Sequence, residues 1–287
     1  MSHDTSRSIF TAACVQMRSG VEVAPNIDVA ERLIRQAASE GADLIATPEM
    51  TSGMDIRSGE SAVPPMPEDR HDAVAAFRRF AGDLGVWLLV GSVAVALEDD
   101  PRKANRSLLI SPGGTVAARY DKIHMFDVEV GDGQTYREST AYRPGDRAVA
   151  ARTPLGTLGL SVCYDLRFPH LYRALAQAGA DIIAAPSAFT RVTGEAHWET
   201  LLRARAIETG AWIIAPAQGG VHEDGRETHG HAMIVSPWGE VIAEAPHREP
   251  CIISAEIDLA AVADARRRIP SLRLESEFDV SVTDARA

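Results

Sequence analysis

One octapeptide occurs almost twice in this chain. Gly41-Ala-Asp-Leu-Ile-Ala-Thr-Pro48 returns as Gly179-Ala-Asp-Ile-Ile-Ala-Ala-Pro186. Gly85-Val-Trp-Leu-Leu is echoed later by Gly210-Ala-Trp-Ile-Ile, and Leu109-Ile-Ser-Pro-Gly-Gly-Thr-Val116 by Ile234-Val-Ser-Pro-Trp-Gly-Glu-Val241. A single echo could be common turn chemistry, because Gly-Ala-Asp often precedes a buried strand. Three echoes in the same order favour a duplicated half.

Each half alternates short runs rich in Ile, Val and Leu with amphipathic segments. The runs include Ile9 to Met17, Leu44 to Thr47, Val86 to Val95, Gly159 to Cys163, Ile182 to Ala185, Trp212 to Pro216 and Cys251 to Ile257. Ala24 to Ser39, Asp69 to Leu84, His170 to Ala178 and Ala196 to Thr209 place apolar residues three and four apart, which predicts helices. Alternating strand and helix makes an α/β protein, and the repeat predicts two αβ layers packed face to face as an α-β-β-α sandwich with an internal pseudo-twofold. No Pro/Gly/Ser-rich linker divides the 287 residues, so one domain is expected, with a core over about 8–262 and a C-terminal extension over 263–287.

Composition excludes several classes. Forty acidic against 29 basic residues give a net charge of −11, a poor match for nucleic acid or an anionic bilayer. Met1 to Arg7 carry no apolar core of a signal peptide, and no segment approaches the ~20 apolar residues of a membrane helix, so a cytoplasmic protein is expected. Three cysteines, Cys14, Cys163 and Cys251, cannot all pair with one another. Each is therefore read singly, as buried filler or as chemistry.

Cys163 ends the run Leu158-Gly-Leu-Ser-Val and precedes a helix starting near Pro169 or His170. A sharp strand-to-helix turn lifts a side chain out of the core and aims backbone N–H groups at one point. That seat suits a nucleophile, although a free Cys is usually a small hydrophobe. Glu49 follows one apolar strand and Lys122 closes another, Thr115 to Asp121. Burial would raise the Glu49 pKa towards that of a useful base, and a buried Lys122 would put positive charge where an oxyanion develops. Taken singly, both are ordinary surface residue types; with Cys163 they form a coherent set.

The segments Pro48-Glu49-Met50, Tyr120-Asp-Lys-Ile-His124 and Leu160-Ser-Val-Cys-Tyr-Asp-Leu-Arg-Phe-Pro169 resemble the three signature segments of the nitrilase superfamily of carbon-nitrogen hydrolases. Asp127 to Ser139, Pro186-Ser-Ala-Phe-Thr190 and Thr193 to Glu208 resemble its Nit branch, which contains deaminated glutathione amidases and omega-amidases. The resemblance implies the same four-layer sandwich. It also implies catalysis without a cofactor or metal: Glu49 as base, Cys163 as nucleophile, and Lys122 with the Tyr164 backbone N–H as oxyanion holders. Glu138 matches the family's additional Glu, with a plain loop carboxylate as the alternative. Arg167 matches a residue associated with the acid end of the substrate, Phe189 and Thr193 match pocket-wall positions, and Arg167 could instead pair with a neighbouring acid as support. Two departures weaken the substrate assignment: His170 stands where many relatives have Glu, and Leu272 to Phe278 lack a basic stretch.

The resulting expectation is an amidase whose partners are a small carboxylate-bearing amide and water, assembled as a homodimer or higher homo-oligomer. Deaminated glutathione leads; 2-oxoglutaramate-like acids, nitriles and N-carbamoyl compounds follow, and a noncatalytic binding protein is the remote alternative. His222, His229 and His231 lack zinc-site spacing. Met125 and Phe126 read as core or pocket mouth, Trp198 as helix packing, and Arg203, Arg205 and Glu208 as one ion-pair network.

Overall fold

A computed structural model describes residues 8–54, 66–131, 135–274 and 276–283. Met1 to Arg7, residues 55–65, Asp132 to Gln134 of the Nit-like segment, Glu275 and residues 284–287 lie outside the described residues. The first half runs β1 (Ile9–Gln16), α1 (Val23–Ser39), β2 (Leu44–Ala46), α2 (Asp72–Leu84), β3 (Trp87–Ala96), β4 (Lys103–Ile110), β5 (Val116–Asp121), β6 (Asp127–Glu129) and β7 (Thr135–Arg137). The second runs β8 (Val149–Thr153), β9 (Gly156–Leu160), α3 (Pro169–Gln177), β10 (Ile182–Ala184), α4 (Arg191–Thr209), β11 (Trp212–Ala215), β12 (Gly219–Val221), β13 (Glu227–His229), β14 (Met233–Val235) and β15 (Val241–Glu244). β16 (Cys251–Asp258) and α5 (Ala260–Arg268) close the chain.

Two six-stranded sheets have the orders β16-β1-β2-β3-β4-β5 and β8-β9-β10-β11-β14-β15. Read in that direction they are the same sheet twice. An outer antiparallel strand precedes three parallel strands, and two antiparallel strands follow. The three sequence echoes fall on β2 and β10, β3 and β11, and the β4–β5 and β14–β15 turns. β16 comes from the far end of the chain to complete the first sheet, so the halves are interlocked.

Alternation along β1 shows the layers. Phe10, Ala12 and Cys14 join the core that includes the second sheet, whereas Ala13 and Val15 pack with Leu33, Ile34, Phe77 and Phe80 of α1 and α2. α3 and α4 bury Leu171, Tyr172, Trp198 and Leu202 on the other side, which completes α-β-β-α. Among the described residues no helix is long and apolar enough to cross a membrane.

Several boundaries differ from those the pattern predicts. α4 starts at Arg191, not Ala196, because the Thr190 hydroxyl caps it by accepting from the Thr193 N–H at 3.3 Å. Gly194 looks like a breaker but serves a close approach, since a Cβ there would lie 2.2 Å from His229 Cβ. β9 stops at Leu160, leaving Cys163 beyond the strand in a 3-10 turn, Cys163–Arg167. Cys14 is fully buried as expected, whereas Cys251 is only partly so, because it opens β16 at the outer edge of its sheet. Trp198 is buried, as expected, and its indole N–H donates to the His231 carbonyl at 2.7 Å. The expected single network of Arg203, Arg205 and Glu208 is two pairs: Arg203 with Glu199, and Arg205 with Glu208. They lie on different faces of α4, with Arg205 buried against the Leu166 carbonyl.

β3 is irregular where it passes the end of β2, its register to β4 shifting between Val90 and Val93. A Cβ on Gly91 would meet the Thr47 carbonyl oxygen at 2.1 Å and that of Pro48 at 2.4 Å. The chain leading to Glu49 therefore rests against a residue that can only be glycine. Gly91→Ala should cost about 2 kcal/mol or more through backbone displacement, read as a lower urea midpoint; an unchanged midpoint would refute this close packing.

Candidate active site

Three strand ends deliver the expected trio. β2 and β5 point the same way, because two antiparallel steps, β3 to β4 and β4 to β5, restore direction. Glu49, just past β2, and Lys122, just past β5, therefore emerge at one edge of the first sheet. Cys163 arrives from the end of β9 in the facing sheet. All three are buried, Lys122 with 2% exposure, Glu49 with 5% and Cys163 with 7%.

Backbone strain marks the same place. Met50 (φ 53°) and Cys163 (φ 50°) are two of three described non-glycine residues at positive φ, a region costly for L-residues. Cys163 is held there by its own N–H donating to the Pro186 carbonyl at 2.9 Å. Asp165 braces the turn from inside. Its fully buried carboxylate accepts from the Val162 N–H (2.9 Å), the Tyr120 hydroxyl (2.6 Å) and the His124 N–H (3.0 Å), with the His124 ring Nδ1 at 2.6 Å. Tyr120 and His124 flank Lys122, so Asp165 ties the lysine segment to the cysteine turn.

The Lys122 ammonium donates to Glu49 Oε1 at 2.9 Å and to Glu138 at 3.0 Å and 2.7 Å. Asn105 Nδ2 donates to the same two carboxylates, at 2.9 Å and 3.1 Å. The Ala188 N–H donates to Glu49 Oε2 at 3.0 Å, and the Cys163 thiol stands beside the Glu49 carboxylate, close enough to stabilise its charge. Glu138 is thus part of the cluster rather than a loop carboxylate, fixed further by the Phe126 N–H at 2.7 Å.

The expectation of a raised Glu49 pKa is not met. Burial does push it up, but the Lys122 charge, the Cys163 thiol and the hydrogen bonds from Lys122 and Asn105 outweigh burial and hold the carboxyl below its usual range. Burial opposes charge on Lys122 as well, yet Glu138 and Glu49 lift its pKa well above normal. Burial and the Glu49 charge push the Cys163 thiol well up, against the opposing pull of Lys122. The resting pair is therefore carboxylate and thiol.

These groups floor a pocket of about 200 Å³ whose wall includes Phe126, Tyr136, Tyr164, Arg167, Phe189 and Thr193. The Tyr164 N–H lies in the first turn of the 3-10 segment, where amide donors lack intrahelical acceptors. Arg167 does not pair with an acid among the described residues. Its Nη1 lies 3.2 Å from His197 Nδ1, and its guanidinium sits 5.2 Å from the Phe189 ring centre. Thr193 shares a 2.9 Å hydroxyl contact with Thr190. His170 stacks edge-on against His124 and Phe168 at the turn's outer side. His222 is structural, its ring nitrogens 2.9 Å from the Ser19 carbonyl and 2.7 Å from the Thr228 hydroxyl.

Four functional neighbours are absent from the sequence reading. Asn105 and Asp165 are fully buried polar residues; Asn105 sits in the polar first half of β4, Lys103-Ala-Asn-Arg-Ser107, where nothing sets it apart. Gln218 donates to the Glu49 carbonyl at 2.9 Å, and Arg226 also lines the pocket. Neither carries a local signal.

Known proteins give the same picture. The sequence signature described as carbon-nitrogen hydrolase matches residues 11–267. The chain is 40% identical over 269 residues to a deaminated glutathione amidase of Synechocystis, covering 92% of this chain and 97% of that one. Its structure is similar to that of the Caenorhabditis elegans NitFhit protein, with TM-score 0.84 and 32% identity over 94% of this chain and 66% of that longer chain. It is also similar to Saccharomyces cerevisiae Nit3, a member of branch 10 of the nitrilase superfamily, with TM-score 0.82 and 25% identity over 94% and 97% of the two chains. With the match spanning nearly all of both sheets, the chain belongs to the carbon-nitrogen hydrolase family and is an amidase-type hydrolase.

Proposed function

We propose that Cys163 is the nucleophile of an amidase acting on small linear amides that carry a carboxylate, with deaminated glutathione as the substrate that fits best. The observation that carries this reading is the buried cluster in which one carboxylate, Glu49, contacts both the Cys163 thiol and the Lys122 ammonium. As the Cys163 sulfur attacks the amide carbon, the thiol proton passes to Glu49 and the carbonyl electron pair moves to oxygen. That oxyanion is held by the Lys122 ammonium and the Tyr164 N–H. Collapse breaks the C–N bond, Glu49 returns the proton to the departing amine, and a thioester remains on Cys163. Water, deprotonated by Glu49, then attacks the thioester; the acid leaves and the thiol is restored. Glu138 keeps Lys122 charged and aimed throughout.

Arg167, on the same turn as Cys163, offers a planar fork for the carboxylate of the acyl part. Phe189 and Thr193 form the adjoining wall. Omega-amide acids of the 2-oxoglutaramate type present the same acyl end and are the second reading, favoured by the absence of any acid partner on Arg167 among the described residues. The relatives named deaminated glutathione amidase support the first.

We infer in addition one cytoplasmic domain working as a homodimer. Interlocking of the first sheet by β16 supports the single domain. Ile207, Trp238 and Ile269 are large exposed apolar residues that line one shallow groove between α4 and α5, and such a patch supports self-association.

Two outcomes are expected. Quenching the enzyme during turnover of deaminated glutathione should leave the acyl group on the Cys163 peptide by mass spectrometry, and Cys163→Ala should lose turnover by about a thousandfold or more; acylation of another residue would end this assignment. Light scattering should give twice the chain mass, and Trp238→Glu should shift it towards one; a monomeric wild type would remove the dimer.

A further inference from the structure

The pocket holds a second guanidinium that this chemistry leaves unused. Arg226 directly precedes β13, in the turn that follows β12, and it lines the same pocket as Cys163. Its Nε is buried with no hydrogen-bond partner, and among the described residues its side chain makes no ion pair. A guanidinium donor withdrawn from water without an acceptor is costly, and a bound anion supplies that acceptor.

Its placement relative to Arg167 gives the anion an address. The Arg226 guanidinium lies 5.8 Å from the Tyr136 ring centre; Tyr136 packs on Phe126 at 5.0 Å, Phe126 on Tyr164 at 5.2 Å, and Tyr164 lies 6.0 Å from the Arg167 guanidinium. Two cations without an acid partner among the described residues are thus linked by a run of three packed rings, in the same pocket that Cys163 and Lys122 line. The hairpin carrying Arg226 is anchored: His222 is buried against Ser19 and Thr228, the His222 N–H donates to the Arg226 carbonyl at 2.8 Å, and the His229 N–H donates to the Phe189 carbonyl at 2.9 Å. The cation is therefore presented by a fixed element that also builds the Phe189 wall.

We propose that Arg226 binds a carboxylate on the leaving-amine side of the substrate, so that this enzyme selects amides that are acidic at both ends. This rests on the proposed function. Arg167 shares the turn of Cys163 and so attends the acyl part that stays on sulfur, which leaves Arg226 for the part that departs. The charge balance agrees: the Glu49, Lys122 and Glu138 cluster is net negative, and two arginines with no acid partner among the described residues offset it for a dianion entering a protein of net charge −11. In deaminated glutathione the departing dipeptide ends in a glycine carboxylate, whereas 2-oxoglutaramate releases only ammonia and has nothing to give Arg226.

The test compares deaminated glutathione with its analogue in which the glycine carboxylate is a neutral amide, on the wild type, Arg226→Gln and Arg226→Lys. The wild type should prefer the acid by about tenfold or more in kcat/KM, mostly through KM. Arg226→Gln should cut that preference to about twofold or less, and Arg226→Lys should retain part of it. Equal wild-type turnover of both compounds, or a preference that survives in Arg226→Gln, overturns the role of Arg226 while leaving the amidase reading intact. Failure of the wild type to hydrolyse either compound or 2-oxoglutaramate overturns the proposed function, and this inference with it.

Discussion

The site depends on one ammonium held out of water between two carboxylates. Burying an ion costs several kcal/mol, and the cost is met only where partners are close and their remaining valences are filled. Lys122 meets that condition through Glu49 and Glu138, with Asn105 bridging the two carboxylates behind it. The cluster carries two negative charges for one positive. That excess explains why the thiol beside Glu49 stays protonated at rest, and the carboxylates in turn keep Lys122 charged.

Duplication supplies the scaffold, and asymmetry supplies the chemistry. The turn after β2 carries Glu49, and its counterpart after β10 carries Ser187, whose neighbour Ala188 donates its N–H to Glu49. One copy of the turn bears the carboxylate while the other helps to hold it. Gln218 adds a second tie from the later half to the Glu49 backbone. Positive φ at Met50 and Cys163, worth about 1–3 kcal/mol each, is tolerated because both turns are over-determined: Met50 N–H donates to the Ser92 hydroxyl, and the Cys163 turn is braced by Asp165.

Much of this was legible in the chain before any coordinates. The repeat of Gly-Ala-Asp before β2 and β10 identified equivalent strands, because a buried parallel strand and its entry turn leave a local pattern. Glu49 and Cys163 stood out because each follows an apolar run, and Lys122 because it closes a strand inside a segment that resembles a family signature. Asp165, Asn105 and Arg226 did not, since their meaning lies in contacts made across the fold: Asp165 with Tyr120, Asn105 with Glu138, Arg226 with Tyr136. The start of α4 was hidden because Gly194 looks like a breaker until His229 is seen against it. The direction of the Glu49 pKa differs for a related reason: a sequence can group Lys122 with Glu49, but it does not show that the lysine and the hydrogen bonds on the carboxylate together outweigh burial.

The protonation state of the resting site tests this account most directly. The difference in thiolate ultraviolet absorbance between wild type and Cys163→Ala, followed from neutral to alkaline pH, reads Cys163 alone. A thiol pushed well above its ordinary range by burial and by the Glu49 charge predicts no thiolate signal at neutral pH, with absorbance appearing only under strongly alkaline conditions. A full thiolate signal at neutral pH would contradict it, and would mean that the proton already rests on Glu49.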